Sequence, residues 1–229
     1  AINKSQNQVN IAIIGGGSWA TAIVKILSEH KNTKINWWLR DSEVRQHIRK
    51  FRRNPNYLSD VTIKKKKVKI FNDIQKTVKE SEYILVVVPA AFVKSALSGL
   101  ETKDFENKQI ISAVKGIVPD EHLLVSELLA EKYSVPIENL GIVAGPCHAE
   151  EVALEKQSFL TISSQNQHFA EIFAELMTCR YIQSSANNDI LGIEYAAVIK
   201  NIVALACGIA HGLNYGDNFQ AVLVSNAMQ

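Results

Sequence analysis

The chain predicts an α/β fold, a doubly wound sheet followed by the start of an all-α second domain. Three features carry that prediction. Short apolar runs alternate with amphipathic stretches from Val9 to Ser184, the rhythm of a chain that winds back and forth over a sheet. The first run, Val9 to Ile14, breaks into Gly15-Gly16-Gly17 and resumes as a helix over Thr21 to Glu29. From Gly192 to Ala210 the sequence becomes almost wholly apolar with no strand punctuation, which reads as a long helix buried on most sides.

Taken in order, Val9 to Ile14 is a strand that ends in a tight turn. The spacing of Gly15, Gly17 and Ala20 fits the dinucleotide-binding turn of a Rossmann-like domain. There the first glycine makes the turn, the second lets the backbone approach a pyrophosphate, and the third position needs only a small residue. The helix that follows presents free amides at its start and the positive end of its dipole to the phosphates. Lys34 to Leu39 is the second strand, closed by Arg40-Asp41, and Asp41 or Ser42 caps the next helix. The tip of this strand faces the adenosine ribose, and Arg40 followed by Asp41 sits between the NAD and NADP patterns. Arg40 can grip a 2′-phosphate, stack on adenine, or remain an ordinary solvated arginine.

Residues 45–69 hold most of the local basic charge and read as a solvated face. Tyr83 to Val88 is a buried strand ended by Pro89, with a short helix over Phe92 to Leu100. Gln109 to Ala113 is the next strand, Asp120 to Lys132 an amphipathic helix with Pro119 at its start, and Leu140 to Ala144 a strand ending in Gly145-Pro146. Phe159 to Ser163 and Tyr181 to Ser184 flank a helix from His168 to about Met177. A boundary near Asn188 gives a dinucleotide-binding domain over 1–187 and a helical domain beginning at 188–229. The chain stops within what reads as a further helix, Asp217 to Gln229, so the expectation is a piece of a longer protein. Apolar helix faces exposed in such a piece would favour a homodimer.

A net charge of +2 gives no global drive toward nucleic acid or an acidic membrane surface. The basic run also lacks the interleaved aromatics of a nucleic-acid platform. No apolar run approaches the roughly 20 residues that span a bilayer. The polar start, Ala1 to Gln8, has no signal-peptide apolar region, so a cytoplasmic location is the expectation. Cys147, Cys179 and Cys207 are scattered and in no CxxC pair. They read as reduced thiols, with neither a disulfide framework nor a metal site.

Lys200 lies in the middle of the apolar helix, where an ammonium group needs either a partner or a purpose. Glu194 is six residues away, which at roughly 100° per residue puts it about 240° around the axis. One reading is a lysine that snorkels to solvent. The other is a lysine whose pKa is lowered by burial and a second cation, fit for general acid/base chemistry. Lys115, just past a strand's carboxyl end where ligands of open α/β sheets bind, is the candidate second cation. Gly145 to Glu151 lies at the same edge. His148 there reads as structural, and the glutamates as complementing a helix N-terminus.

Gly-Gly-Gly-Ser-Trp-Ala at 15–20, Asn54-Pro55-Asn56-Tyr57-Leu58, Val87-Val88-Pro89, Val114-Lys115-Gly116, Gly145-Pro146-Cys147-His148-Ala149, Lys200-Asn201-Ile202 and Gly212-Leu213-Asn214-Tyr215-Gly216-Asp217-Asn218 follow one another in this order. Over essentially the whole chain this set resembles the bacterial-type NAD(P)-dependent glycerol-3-phosphate dehydrogenases. The resemblance implies reversible hydride transfer between NAD or NADP and dihydroxyacetone phosphate, giving sn-glycerol 3-phosphate for phospholipid synthesis. It implies that Lys200 is the general acid/base and that Lys115 contacts substrate and cofactor. It places Gly145, Cys147 and the weaker candidate Asn201 at the substrate, and Gly15, Gly17, Ser18, Trp19, Arg40 and Ala149 at the dinucleotide.

The departures are Ala20 at the third motif glycine and Cys147 where serine or threonine is usual. Nothing here matches the family's further helical segment, with its aspartate and Ser-Arg-Asn-like element. Without that arginine the phosphate loses a charge-assisted fork, so the 229-residue chain is expected to bind dinucleotide with little or no turnover. Two other readings stand beside this one. The first is a related two-domain reductase of the 3-hydroxyacid dehydrogenase or ketopantoate reductase type. The second is a non-catalytic dinucleotide-binding module.

Overall fold

The computed structural model describes residues 8–228. Residues 1–7 of the polar start, and Gln229 at the end of the expected last helix, lie outside the described residues. Strands β1 (Val9–Ile14), β2 (Thr33–Trp38), β3 (Val68–Phe71), β4 (Tyr83–Val86), β5 (Gln109–Ser112), β6 (Leu140–Ala144), β7 (Ser158–Ser163) and β8 (Ile182–Asn187) form one sheet in the order β3-β2-β1-β4-β5-β6-β7-β8. Between them run α1 (Ser18–Ser28), α2 (Ser42–Phe51), α3 (Ile74–Lys79), α4 (Val93–Leu97), α5 (Val125–Tyr133), α6 (Ala149–Ala153) and α7 (Gln167–Met177). The chain closes with α8 (Ile190–Gly212) and α9 (Asp217–Ala227).

Two apolar cores sandwich the sheet. Ile11 and Ile13 of β1 join Trp37, Leu85, Phe169 and Phe173 on one face. Ala12 and Ile14 join Ile84, Val86, Leu128 and Tyr133 on the other. Alternate residues of one strand thus feed both cores, as the two-residue period requires of a sheet covered on both sides.

The strands are parallel from β3 through β6. β7 then runs antiparallel to β6, and β8 parallel to β7. The doubly wound expectation does not anticipate that reversal, and its cause is a short connection. α6 has five residues and rises only ~7.5 Å, about half the ~16 Å needed to return along a five-residue strand. The chain therefore re-enters the sheet from the edge it has just reached.

Other boundaries also differ from the sequence reading. β3 emerges from the end of the basic run, with Val68 and Ile70 buried and Lys69 exposed. Part of that run is not a solvated face. Lys64 donates to the Ser28 carbonyl at 3.3 Å and pairs with Glu29 at 3.0 Å, and Lys67 donates to the His30 carbonyl at 2.6 Å. These cations answer the carbonyls that gather at the C-terminal end of α1. The helix expected from Asp120 begins at Val125. Asp120 and His122 take left-handed φ values of 70° and 56° while Val118 and Leu123 bridge across them, and Glu127 then accepts the Leu124 amide at 2.8 Å. The helix read over Phe92 to Leu100 resolves into a 3-10 turn, Ala90–Phe92, followed by α4.

α8 departs furthest from expectation. It is helical throughout its 23 residues, but only Ile190, Glu194 and Ala210 are buried. Leu191, Tyr195, Ile199, Ile202, Leu205 and Ile209 are all exposed. By length and composition it is also apolar enough to cross a membrane, the one such helix among the described residues. It joins the sheet domain through Ile190, buried in the core on one face with Ile193 packed against it, and through a polar contact. Glu194, 2% exposed, accepts the Val125 amide at 3.1 Å, the Ser126 amide at 3.4 Å and the Ser126 hydroxyl. It caps the N-terminus of α5 from another element.

Burial pushes the Glu194 carboxyl above its ordinary value of 4.5, although these donors pull it down. The folded state therefore holds this proton more tightly than the unfolded chain does. The stabilisation linked to it is full below the ordinary glutamate range and declines as pH rises through the raised folded value. Glu194→Gln, which keeps an acceptor without the charge, is expected to flatten that decline in urea-unfolding midpoints taken from acid to neutral pH. Glu194→Ala, which leaves the amides and hydroxyl unpaired, is expected to cost on the order of 2 kcal/mol across the range.

Candidate functional site

β1 delivers the chain into the glycine turn at the C-terminal edge of the sheet. Gly15 sits at φ 134°, and a Cβ there would lie 2.0 Å from the Val87 carbonyl oxygen, so the position accepts glycine alone. Each glycine carbonyl is then bound from inside. The Trp37 indole N–H donates to Gly15 at 2.6 Å, the Asn54 amide to Gly16 at 3.1 Å, and the Thr21 hydroxyl to Gly17 at 2.9 Å. Trp37, Asn54 and Thr21 are completely buried, and Asn54 also donates to the Thr21 hydroxyl at 2.9 Å. Because a trans peptide points its N–H opposite its C=O, carbonyls tied inward turn the amides of Gly16, Gly17 and Ser18 outward. They join the first-turn amides of α1, which have no partner within the helix. Ser18 and Trp19 are half-buried there.

Two clefts meet over this turn. One of about 330 Å³ is lined by Gly16, Arg40, Asp41, Tyr57, Pro89 and Phe92. The other, about 360 Å³, is lined by Gly17, Trp19, Pro89, Lys115, Cys147 and Ala149. They share Gly17, Val88 and Pro89, so they lie end to end along the carboxyl ends of the parallel strands, where open α/β sheets bind ligands. A larger cleft of about 530 Å³, bounded by Lys25, Glu29, Lys64 and Glu155, contains none of these groups.

In the first cleft the two residues at the tip of β2 are unequal. Asp41 caps α2, accepting the Glu43 amide at 2.8 Å and the Val44 amide at 3.0 Å, and these bonds hold its pKa below the ordinary carboxylate range. Arg45 binds the Leu39 and Arg40 carbonyls at 2.6 Å. The Arg40 guanidinium lies 5.9 Å from the Phe92 ring centroid and is in no ion pair among the described residues.

In the second cleft Gly145 passes the β7 backbone so closely that a Cβ would lie 2.4 Å from the Phe159 carbonyl oxygen. The Cys147 thiol donates to that same carbonyl at 3.0 Å, and burial pushes its pKa up, so it is a neutral group whose proton is already used. Ala149 is buried at the start of α6, and His148 is exposed without capping that helix through its side chain. Lys115 is exposed as a residue, yet crowding of its ammonium pushes its pKa below the ordinary lysine range, and the charge of Lys200 adds to the effect. The structure thus brings the two lysines into each other's field, but the expected burial falls on the other one. Burial acts on Lys115, whereas Lys200 and Asn201 stand exposed on α8, because that helix meets the sheet domain only near its N-terminal end.

The family profile for the NAD-dependent glycerol-3-phosphate dehydrogenase N-terminus matches residues 10–170, and that for the C-terminus matches 189–229. The chain belongs to the NAD-dependent glycerol-3-phosphate dehydrogenase family. It is 35% identical over 219 residues to a glycerol-3-phosphate dehydrogenase (NAD(P)+) of Clostridium botulinum strain Eklund 17B, a match covering 96% of this chain and 65% of that protein. For the Macrococcus caseolyticus enzyme the identity is 30% over 221 residues, covering 96% and 66%. The chain therefore spans about two thirds of the length of these curated relatives. The crystal structure of glycerol-3-phosphate dehydrogenase from Coxiella burnetii superposes with a TM-score of 0.84 at 26% identity, covering 96% of this chain and 66% of that one. An imine reductase from Aspergillus terreus, at 12% identity over 90% of this chain and 64% of its own, shares the fold alone with a TM-score of 0.61.

The dehydrogenase glycine turn separates stability from binding. Gly15→Ala is expected to cost at least about 3 kcal/mol, read from urea unfolding, because backbone must move. Gly17 has φ −76° and nothing within 4 Å of an added Cβ, so Gly17→Ala is expected to change stability by less than about 0.5 kcal/mol. The same methyl should weaken dinucleotide binding, read by nicotinamide fluorescence, because it fills the space in front of the outward amides.

Proposed function

We propose that the chain is part of an enzyme that interconverts dihydroxyacetone phosphate and sn-glycerol 3-phosphate with NAD or NADP, feeding phospholipid synthesis in the cytoplasm, and that the 229 residues alone bind dinucleotide with little or no turnover. Residues 1–187 supply the dinucleotide domain and 188–229 begin the substrate domain. The observation that carries this reading is the pair of clefts joined over the outward amides, with Lys115 at one end and Lys200 near enough for its charge to act on Lys115. Gly15, Gly17, Ser18 and Trp19 hold the pyrophosphate in this reading, Ala149 lines the nicotinamide side, and Arg40 reaches the adenosine ribose. The bound nicotinamide supplies a hydride to the ketone carbon, or takes one from the alcohol in reverse.

Lys200 then donates a proton to the ketone oxygen, and Lys115 stabilises the negative charge that develops there. Two ammonium groups in each other's field favour an anionic ligand, and a three-carbon phosphate supplies the countercharge. Gly145, Cys147 and Asn201 contact that substrate. Cys147, with its thiol proton given to the Phe159 carbonyl, contributes a weaker contact than a serine would.

One observation favours the second half of this proposal, a chain that alone binds dinucleotide without turning over substrate. Lys200 has no hydrogen bond or ion pair among the described residues, so little fixes its ammonium for proton transfer. Titration with NADH and NADPH, followed by nicotinamide fluorescence, tests the binding. Because Asp41 is taken up by α2, Arg40→Ala is expected to weaken NADPH by about tenfold or more while changing NADH by less than about threefold. Equal losses for both would remove Arg40 from the 2′-phosphate. Turnover of dihydroxyacetone phosphate by the 229-residue chain is expected to stay at background, and robust turnover would refute that half of the proposal.

A further inference from the structure

We infer that the corner of the sheet edge formed by the end of α2 and the lysine run 64–67 is a docking surface for a bilayer with anionic headgroups. Residues 44–69 hold ten of the 25 lysines and arginines but only Asp60 of the 23 acids. The segment carries +9 and the rest of the chain −7, so the near-neutral total conceals a strongly dipolar molecule. The fold gathers these charges. The Ile63 amide donates to the Arg52 carbonyl at 2.8 Å, setting the end of α2 against the lysine run. Lys64 and Lys67 reach the end of α1, and Lys34 donates to the Lys66 carbonyl at 2.7 Å. Lys31 and Lys64 to Lys66 are exposed there, at the amino ends of β2 and β3, away from the carboxyl edge that holds the nucleotide clefts.

Bonds to carbonyls leave these lysines charged. Two acids pair with the segment directly, Glu29 with Lys64 at 3.0 Å and Glu80 with Lys69 at 2.9 Å. Asp60, Glu150 and Glu155 line the cleft on the Lys64 side and leave Lys65 and Lys66 unpaired among the described residues. Protection of an edge strand by lysine accounts for Lys69, which lies in β3, but not for four consecutive lysines ahead of that strand. The outermost charges are mostly lysines, mobile point charges suited to a fluid plane of headgroups rather than to a fixed fork on one phosphate. Phe51, 53% exposed at the end of α2 with the Lys50 ammonium 4.9 Å from its ring centroid, adds an apolar group at interface depth. A stacking platform for nucleic acid needs successive aromatics, and Tyr57 is already part of the nucleotide cleft. Docked on this corner, the molecule would open its clefts away from the membrane.

The test is sedimentation of the whole chain with vesicles of phosphatidylcholine alone and of phosphatidylcholine mixed with phosphatidylglycerol, at low and high salt. The expected result is binding to the anionic vesicles only, fading as salt screens the charges. Lys65→Glu combined with Lys66→Glu, with circular dichroism unchanged, should lower partitioning by at least about tenfold, since each lysine near an anionic surface is worth roughly fivefold. Absence of binding at low salt would overturn the inference, as would undiminished binding by the double variant. Equal binding to neutral vesicles would also overturn it and would point to the apolar α8–α9 face. Preference for duplex or single-stranded DNA over the vesicles at matched salt would replace the bilayer with nucleic acid.

Discussion

The passage of Gly15 beneath the Val87 carbonyl fixes the rest of the site. The last bond of the β1–β4 ladder, from the Val87 amide to the Ile14 carbonyl at 2.8 Å, draws the two strand ends together just where the chain must turn. Only a residue without a Cβ survives that approach. Once it is made, Val88 and Pro89 are pressed against the turn and become the shared wall of both clefts. The Ala113 amide binds the Val86 carbonyl at 2.9 Å, so the path of β5, and with it the departure point of Lys115, is set from the same strand. A second backbone approach, Gly145 against Phe159, fixes the far wall in the same way.

Polar groups around the turn are divided between structure and ligand. The inward carbonyls are spent on Trp37, Asn54 and Thr21, and Asp41 is spent on the amides of α2. What stays free at the clefts is chiefly cationic or donates hydrogen bonds, the outward amides, Arg40 and Lys115, with Glu150 as an exposed acid at the rim of the second. Outward amides and cations predominate over acceptors there, a balance that favours anions, in keeping with the family that the profile matches identify.

Much of this was legible in the sequence because it rests on local necessity. A glycine forced by a backbone collision leaves few alternatives, and buried parallel strands such as Tyr83 to Val86 announce themselves by continuous apolar runs. β3 was missed because its four residues follow a lysine run and Lys69 interrupts the apolar pattern. The start of α5 was misplaced because left-handed Asp120 and His122 are neither glycine nor asparagine. The reversal of β7 depends on how far a short helix can carry the chain, which periodicity does not encode. Asn54 and Trp37 gave no signal as supports of the turn, since their partners are backbone carbonyls distant in sequence. The apolar composition of α8 called for burial, yet composition does not say what does the burying, and only one stretch of this helix meets the sheet domain.

Glu194 gives that junction a mechanical character. α8 is pinned to the sheet domain by Ile190 in its core and by one carboxylate seated on the N-terminus of α5, and Lys200 stands six residues beyond that carboxylate, about 9 Å down the helix axis. A tilt of about 10° around such a pivot swings Lys200 by roughly 1.5 Å, and displacements on that scale are enough to cost a positioned group about two powers of ten in rate. The aim of the proposed proton donor is thus governed by a lever whose fulcrum is an acid that never meets the substrate.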